Sequence, residues 1–176
     1  MHRKRDKKKG ILFWITGLPG SGKTNIARKI NNQIKNLYGP TLFVNGDDLR
    51  NIFSLKKYDK KSRLAYSKQY CKFAKFITNQ NINLVFAIVG MMHEPRNWNR
   101  KNIQNYLEIY IKSDIKKIIK KNKKKLYKNK TNNLVGLDIK PQFPKKPDIT
   151  ILNNFDDSIN TLSKNLINKI KLKIKI

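Results

Sequence analysis

A single cysteine, Cys71, stands in 176 residues, so no internal disulfide can staple this chain. Long apolar runs are also missing. None approaches the roughly 20 residues a membrane-spanning helix needs, and no apolar segment of a secretory leader follows the basic N-terminus. We therefore expect a cytoplasmic protein without membrane contact. Acidic residues are scarce: eleven Asp and Glu face forty Lys and Arg, which gives a formal net charge of +29 and a pI near 10.3. Such an excess is the usual footprint of a nucleic-acid binder, because clustered cations release counterions from a phosphate backbone. Here, however, the excess is mostly Lys, travels with Asn and Ile, and runs over nearly the whole chain, which coding drift toward A- and T-rich codons also produces. No recognition motif and no basic patch with interleaved aromatics accompanies it. Drift is the favoured reading, and nucleic acid the disfavoured partner. There is no internal repeat.

What is present points to one domain. Residues 1–9, MHRKRDKKK, form a basic tail that reads as solvated and poorly ordered, and residues 10–176 have the length for one core of ordinary size. Short apolar runs at 11–16, 41–45, 83–90, 106–111 and 148–152 are bounded by turn or polar residues, as buried parallel strands are. Between and after them lie helix-like segments at 22–36, 60–78, 95–104, 113–121 and 156–172. This alternation predicts an α/β fold, a five-stranded parallel sheet flanked by helices on both faces, with ligands at the carboxyl ends of the strands. Residues 120–147 break the pattern with dense Lys, Asn and Pro, as a mobile lid would.

GLPGSGKT, residues 17–24, matches G-x-x-x-x-G-K-(S or T) completely and sits between the first strand and the first helix, where a phosphate cradle needs it. Gly17, Gly20 and Gly22, with Leu18, Pro19 and Ser21 between them, let backbone N–H groups converge on a phosphate beside a helix N-terminus. Lys23 would reach the β- and γ-phosphates of ATP, and the Thr24 hydroxyl would help hold Mg²⁺. A cradle alone does not separate a motor, a switch or a small kinase. The chain lacks a guanine-specifying N-K-x-D string and has no room for a mechanical domain, which leaves a P-loop kinase acting on a small molecule. At the mouth of the second strand, Asn45-Gly46-Asp47-Asp48-Leu49-Arg50 supplies a carboxylate that could accept a hydroxyl proton or order Mg²⁺, and an arginine that could clamp an anion. Asp47 or Asp48 could instead cap a helix start.

Over roughly residues 10–155 the sequence resembles the adenylylsulfate kinases, which use ATP to phosphorylate the ribose 3′-hydroxyl of adenylyl sulfate. GLPGSGKT is near the family's G-L-(S or P)-G-S-G-K-(S or T), and NGDDLR looks like its D-G-D-N-(V or I)-R. Tyr58-Asp59-Lys60-Lys61-Ser62-Arg63 sits at F-S-x-x-D-R, Val135-Gly136-Leu137-Asp138 resembles T-G-I-(D or S), and Pro144 and Pro147 fall on P-x-x-P. The resemblance implies that Asp47 is the catalytic carboxylate, working with Lys23, and that Arg50 and Arg63 grip the acceptor nucleotide. It also implies that Lys124 to Lys130, with Lys128 the best-matched cation, belong to the closing lid. Whether the chain pairs as a homodimer is left open.

The departures cluster on the acceptor side. The family's F-I-S-P-Y-R becomes Ile88-Val89-Gly90-Met91-Met92-His93, so a serine that could carry a covalent phosphate is replaced by Gly90, and an arginine by His93. Tyr66 replaces an Asn, Leu134 replaces the aromatic that stacks on adenine, Asn45 replaces the first Asp of D-G-D, and Gln142 replaces a Glu. Loss of one stacking face, worth on the order of 1 to 3 kcal/mol, implies a changed base. Tyr58 and Leu134 could embrace a pyrimidine, with Tyr66 and His93 offering hydrogen bonds. This pattern is similar to a capsule-related branch of the family, kinases acting on cytidine diphosphoramidate, whose product serves to decorate surface polysaccharide. An ordinary adenylylsulfate kinase that tolerates these changes remains the alternative, and a nucleic-acid-binding protein the rival of another class. His93 alone reads as a polar rim residue, Met91-Met92 as pocket lining or interface, and Cys71 as buried packing. Trp14 and Trp98 carry no assigned chemistry.

Overall fold

The computed structural model describes residues 9–121 and 133–174; residues 1–8 of the basic tail and residues 122–132 of the expected lid, Lys128 among them, lie outside the described residues. Five strands, β1 (Leu12–Thr16), β2 (Thr41–Asn45), β3 (Asn83–Ile88), β4 (Tyr106–Lys112) and β5 (Ile149–Leu152), form one sheet in the order β2-β3-β1-β4-β5. Every pairing is parallel, with Leu12 opposite Leu84 on one side and Tyr106 on the other. Strand β1 is central, and LFWIT is buried throughout, as a strand covered on both faces must be.

Alternation along β1 divides the core. Phe13 and Ile15 face α1 (Lys23–Tyr38) and α6 (Ile159–Lys173), which lean on each other through Ile26, Ile30 and Ile34 and through Leu162, Leu166 and Ile170. Leu12 and Trp14 face the opposite layer, where α3 (Lys60–Asn79) contributes Tyr70, Cys71 and Ala74 and α4 (His93–Asn102) contributes Trp98. Trp14 and Cys71 are therefore core residues, with half-buried Trp98 packed against them, and burial pushes the Cys71 thiol pKa up to about 12. The expected five-stranded parallel sheet with helices on both faces is the one observed.

Three boundaries differ from the sequence reading. Strand β3 ends at Ile88 instead of residue 90, because Gly90 turns the chain at φ +43°. Helix α4 starts at His93, with Pro95 inside its first turn, where the missing N–H costs nothing. A seven-residue helix, α2 (Gly46–Ile52), lies at the expected strand mouth; it is too short to show a periodicity. Asn45 caps it, its side-chain oxygen accepting from the N–H groups of Asp47 and Asp48 at 3.0 Å each. The short helix α5 (Ile115–Lys121) follows β4. No helix among the described residues is long and apolar enough to cross a membrane. Since all strands run one way, their carboxyl ends share one edge of the sheet, and the site assembles there.

Candidate active site

The loop from Gly17 to Gly22 joins β1 to α1, and Gly20 and Gly22 hold φ values of +77° and +83° that a side chain would resist. Gly22 is the N-cap of α1, with no side-chain cap and no acidic residue in the first turn, so among the described residues no side chain compensates the positive pole of that helix end. A Cβ on Gly17 would stand 2.7 Å from both the Ile111 carbonyl oxygen and Ser21 Oγ. Ser21 Oγ is buried with no hydrogen-bond partner among the described residues. Asn153, just past β5 and buried, donates from Nδ2 to the Ser21 carbonyl at 3.0 Å and so pins the loop from across the sheet. Nothing in the sequence marked Asn153; its partner lies 132 residues away.

Lys23 is nearly buried, and its ammonium donates to the Leu18 carbonyl at 3.1 Å. Burial lowers its pKa to about 8, against the opposing pull of Asp47. Leu18 is itself buried among Met91, Tyr110, Ile118 and Val135, which fixes the start of the loop. An ammonium held this way, with donors to spare and a carboxylate in its field, suits a phosphate oxygen.

The two adjacent carboxylates separate in role. Asp48 accepts from Asn45 Nδ2 at 2.5 Å and stays at the cap, whereas Asp47 lines the cavity. Arg50, one turn on, donates to the carbonyls of Leu55 and Lys57 at 2.8 and 3.1 Å, and its guanidinium lies 4.1 Å from the Tyr58 ring centroid and 5.4 Å from that of Tyr66. Asp59 starts α3 by accepting from Ser62 N–H, which sets Arg63 and Tyr66 on the next turns. Arg63 donates to the Tyr58 carbonyl at 2.6 Å and to the Asn133 carbonyl at 3.0 Å, tying together the segments that carry Tyr58 and Leu134. Burial, then the neighbouring charge of Arg50, lowers its pKa. Two guanidinium groups so close together favour a bound anion between or beside them.

The floor turns at Gly90. A Cβ there would lie 3.2 Å from Trp14 Nε1, Thr16 Oγ1 and Ile88 Cγ2. Beneath it Arg96, buried, donates to the carbonyls of Gly90 at 2.7 Å and Gln142 at 2.6 Å, and pairs with Glu108 at 3.0 Å. His93 is drawn into this network: its ring Nδ1 is 2.9 Å from Arg96 Nη2 and its N–H donates to Gln142 Oε1 at 2.7 Å. Burial, then Arg96 and Lys145, lowers the His93 pKa. Its side chain does not line the cavity; Gln142 does. Arg96, the residue that joins the Gly90 turn to Gln142, was not singled out from the sequence, where it is one cation among forty.

One cavity of about 680 Å³ joins these parts. The cradle contributes Pro19, Gly20, Gly22, Lys23 and Thr24 to its wall, and the other side contributes Asp47, Arg50, Tyr58, Arg63, Tyr66 and Leu134. Gly17, Leu18 and Ser21 lie behind the wall and shape it. A second recess of about 430 Å³ opens on the far side of the cradle, lined by Gly20, Gly22, Asn25, Asn153 and Phe155 among others. Among the described residues no three His, Cys, Asp or Glu side chains cluster as a metal site. A hydroxyl at Thr24 and one carboxylate at Asp47, both lining this cavity, fit a magnesium ion that takes the rest of its ligands from phosphate and water.

Residues 9–152 match the adenylylsulphate kinase family. The chain is 34% identical over 173 residues to the cytidine diphosphoramidate kinase of Campylobacter jejuni, covering 96% of this chain and 97% of that one. It is 27% identical over 167 residues to a probable adenylyl-sulfate kinase of Aeropyrum pernix, covering 90% and 89%. Its fold superposes on the Mycobacterium tuberculosis APS kinase solved with AMPPNP and APS, with a TM-score of 0.82 at 21% identity over 93% of this chain and 98% of that one. A phosphate cradle backed by a buried lysine, opposite a carboxylate and paired arginines on the same cavity, thus comes with a sequence that belongs to the adenylylsulphate kinase family of ATP-dependent kinases.

Proposed function

We propose that the protein transfers the γ-phosphoryl group of ATP to the ribose 3′-hydroxyl of a nucleotide-like acceptor with an anionic tail, and that this acceptor is cytidine diphosphoramidate, destined for polysaccharide modification. The observation that carries the reading is the division of the cavity wall. Its cradle side is complete, while its acceptor side keeps Asp47, Arg50 and Arg63 but replaces the adenine-stacking aromatic with Leu134 beside the Arg63-linked Tyr58 segment. A smaller base suits a base site with Tyr58 and the alkyl side chain of Leu134 in place of two stacking aromatics. The likeness to the Campylobacter jejuni kinase over nearly the whole of both chains supports the same choice.

In this scheme the cradle N–H groups and Lys23 hold the β- and γ-phosphate oxygens, with the rest of ATP extending toward the recess at Asn153 and Phe155. Asp47 takes the proton of the 3′-hydroxyl as its oxygen bonds to the γ-phosphorus, and the bond from that phosphorus to the bridging oxygen breaks to release ADP. Arg50 and Arg63 fix the acceptor's tail, so that the hydroxyl meets the γ-phosphate in line. Thr24 and Asp47 would hold magnesium, which when bound would supply charge neutralisation at the phosphate oxygens. Adenylyl sulfate is the second reading, favoured by the family match over residues 9–152. Purified protein with Mg-ATP and a panel of cytidine and adenosine acceptors, scored by ADP release and product mass, decides between them. A kcat/KM for adenylyl sulfate well above that of every cytidine compound refutes the cytidine reading.

A further inference from the structure

Helix α3 turns Arg63, Tyr66, Ser67 and Tyr70 toward the cavity, a spacing of three, four and seven residues that puts all four on one stripe. Tyr70 is the most enclosed of them at 5% exposed, its ring 5.8 Å from that of Phe86. Its hydroxyl has no hydrogen-bond partner among the described residues. Phenylalanine would fill the same space without stranding a polar group, and a buried hydroxyl left without a partner is a standing cost to the fold. A side chain that wall-lines a ligand cavity and carries that cost is suited to a partner that arrives with the ligand. Arg50 and Asp47 line the same cavity as this phenol. Burial raises its pKa, so the phenol keeps its proton at neutral pH and can both donate and accept.

We propose that Tyr70 is a specificity residue whose hydroxyl hydrogen-bonds the anionic tail of the acceptor beside Arg50, and so selects acceptors with a group beyond the first phosphate over nucleoside monophosphates. The inference rests on reading this cavity as the acceptor site. It does not depend on which base is bound.

Tyr70→Phe tests it with two acceptor pairs that differ in the tail: cytidine diphosphoramidate against CMP, and adenylyl sulfate against AMP, the monophosphates measured as substrates or as competitive inhibitors. Whichever pair the wild type uses is the informative one, so a wrong base in the function proposal leaves this test intact. For the tailed member kcat/KM should fall about tenfold or more, the loss typical of a hydrogen bond to a charged group, while the monophosphate stays within about twofold. The KM for ATP should hold, and the thermal midpoint of the free protein should stay level or rise as the stranded hydroxyl is removed. Equal losses on both members, tailed activity within about twofold of wild type, or a fall in thermal midpoint with loss of every activity each overturn the assignment. Turnover of neither pair by the wild type sinks the function proposal, and this one with it.

Discussion

Raising the pH from 7 to 9 should weaken ATP binding about tenfold, and the effect should vanish in Lys23→Ala. The argument starts from burial. Lys23 is 8% exposed, its ammonium donates to the Leu18 carbonyl, and its pKa falls to about 8 from the ordinary 10.5. That shift corresponds to about 3 kcal/mol by which the empty site disfavours the ammonium. Bound phosphates reverse the balance, because their charge lies where the ammonium points, so the complex takes the protonated form throughout this range. Below pH 8 the free protein already carries the proton and affinity is flat. Above it, each unit of pH removes about one factor of ten from the competent population, and binding takes up close to one proton. The sign for the fold is the opposite. Between about 8 and 10.5 the unfolded chain binds more protons than the folded one, so the contribution of Lys23 to the stability of the free protein rises with pH. Calorimetric titration of ATP at pH 7, 8 and 9, in two buffers of different ionisation enthalpy, reads both quantities; the terminal phosphate of ATP is already ionised across that range. Affinity that stays constant from pH 7 to 9, or proton uptake that persists in Lys23→Ala, refutes the placement of this ammonium against phosphate.

The remaining predictions address the acceptor side. Asp47→Asn should keep ATP binding but lower transfer by about 10² to 10⁴-fold, whereas Asp48→Asn should leave transfer nearly intact and loosen the start of α2, as steady-state kinetics and thermal melts of both variants will report. Leu134→Phe should raise kcat/KM for adenylyl sulfate relative to the cytidine acceptor by up to the ~1 to 3 kcal/mol of a stacking contact, and an unchanged ratio would remove Leu134 from the base site. Gly90→Ser should destabilise the protein by about 1 to 2 kcal/mol in denaturant unfolding, because a side chain at φ +43° is strained and its Cβ meets three neighbours at 3.2 Å.

Much of the donor half was legible because it is contiguous. One eight-residue string carries the glycines, the lysine and the threonine, and the strand before it and helix after it follow from LFWIT and the apolar stripe of α1. The order β2-β3-β1-β4-β5 is not written in any local pattern, though the alternation of strand and helix sufficed for a parallel sheet. The short helix α2 escaped because seven residues give too little period; capping was weighed only as the alternative use of Asp47 or Asp48, and the cap is Asn45. That difference bears on function. With Asn45 serving the helix and binding Asp48, Asp47 is the carboxylate left facing the cavity.

The acceptor half was harder because its wall is drawn from α2, α3, the Gly90 turn and residues 133–142, and contacts between distant segments decide which side chains face inward. His93 stands at the position where the family has arginine, so the sequence suggested a ligand contact. The fold instead places a different arginine, Arg96, under the floor, and His93 turns to meet it. Three bonds from Arg96, to Gly90, Gln142 and Glu108, then hold the turn and the Gln142 segment in one arrangement. The same turn explains why the change from serine to glycine is not a simple deletion of a hydroxymethyl group. At φ +43° the backbone has taken a course that glycine favours, and Trp14, Thr16 and Ile88 have closed to the distance that the absence of a Cβ allows. A serine restored here would have to displace the floor before it could offer its oxygen to a phosphate. The replacement is therefore built into the shape of the cavity, and a route through a phosphorylated residue 90 is opposed by packing as well as by chemistry.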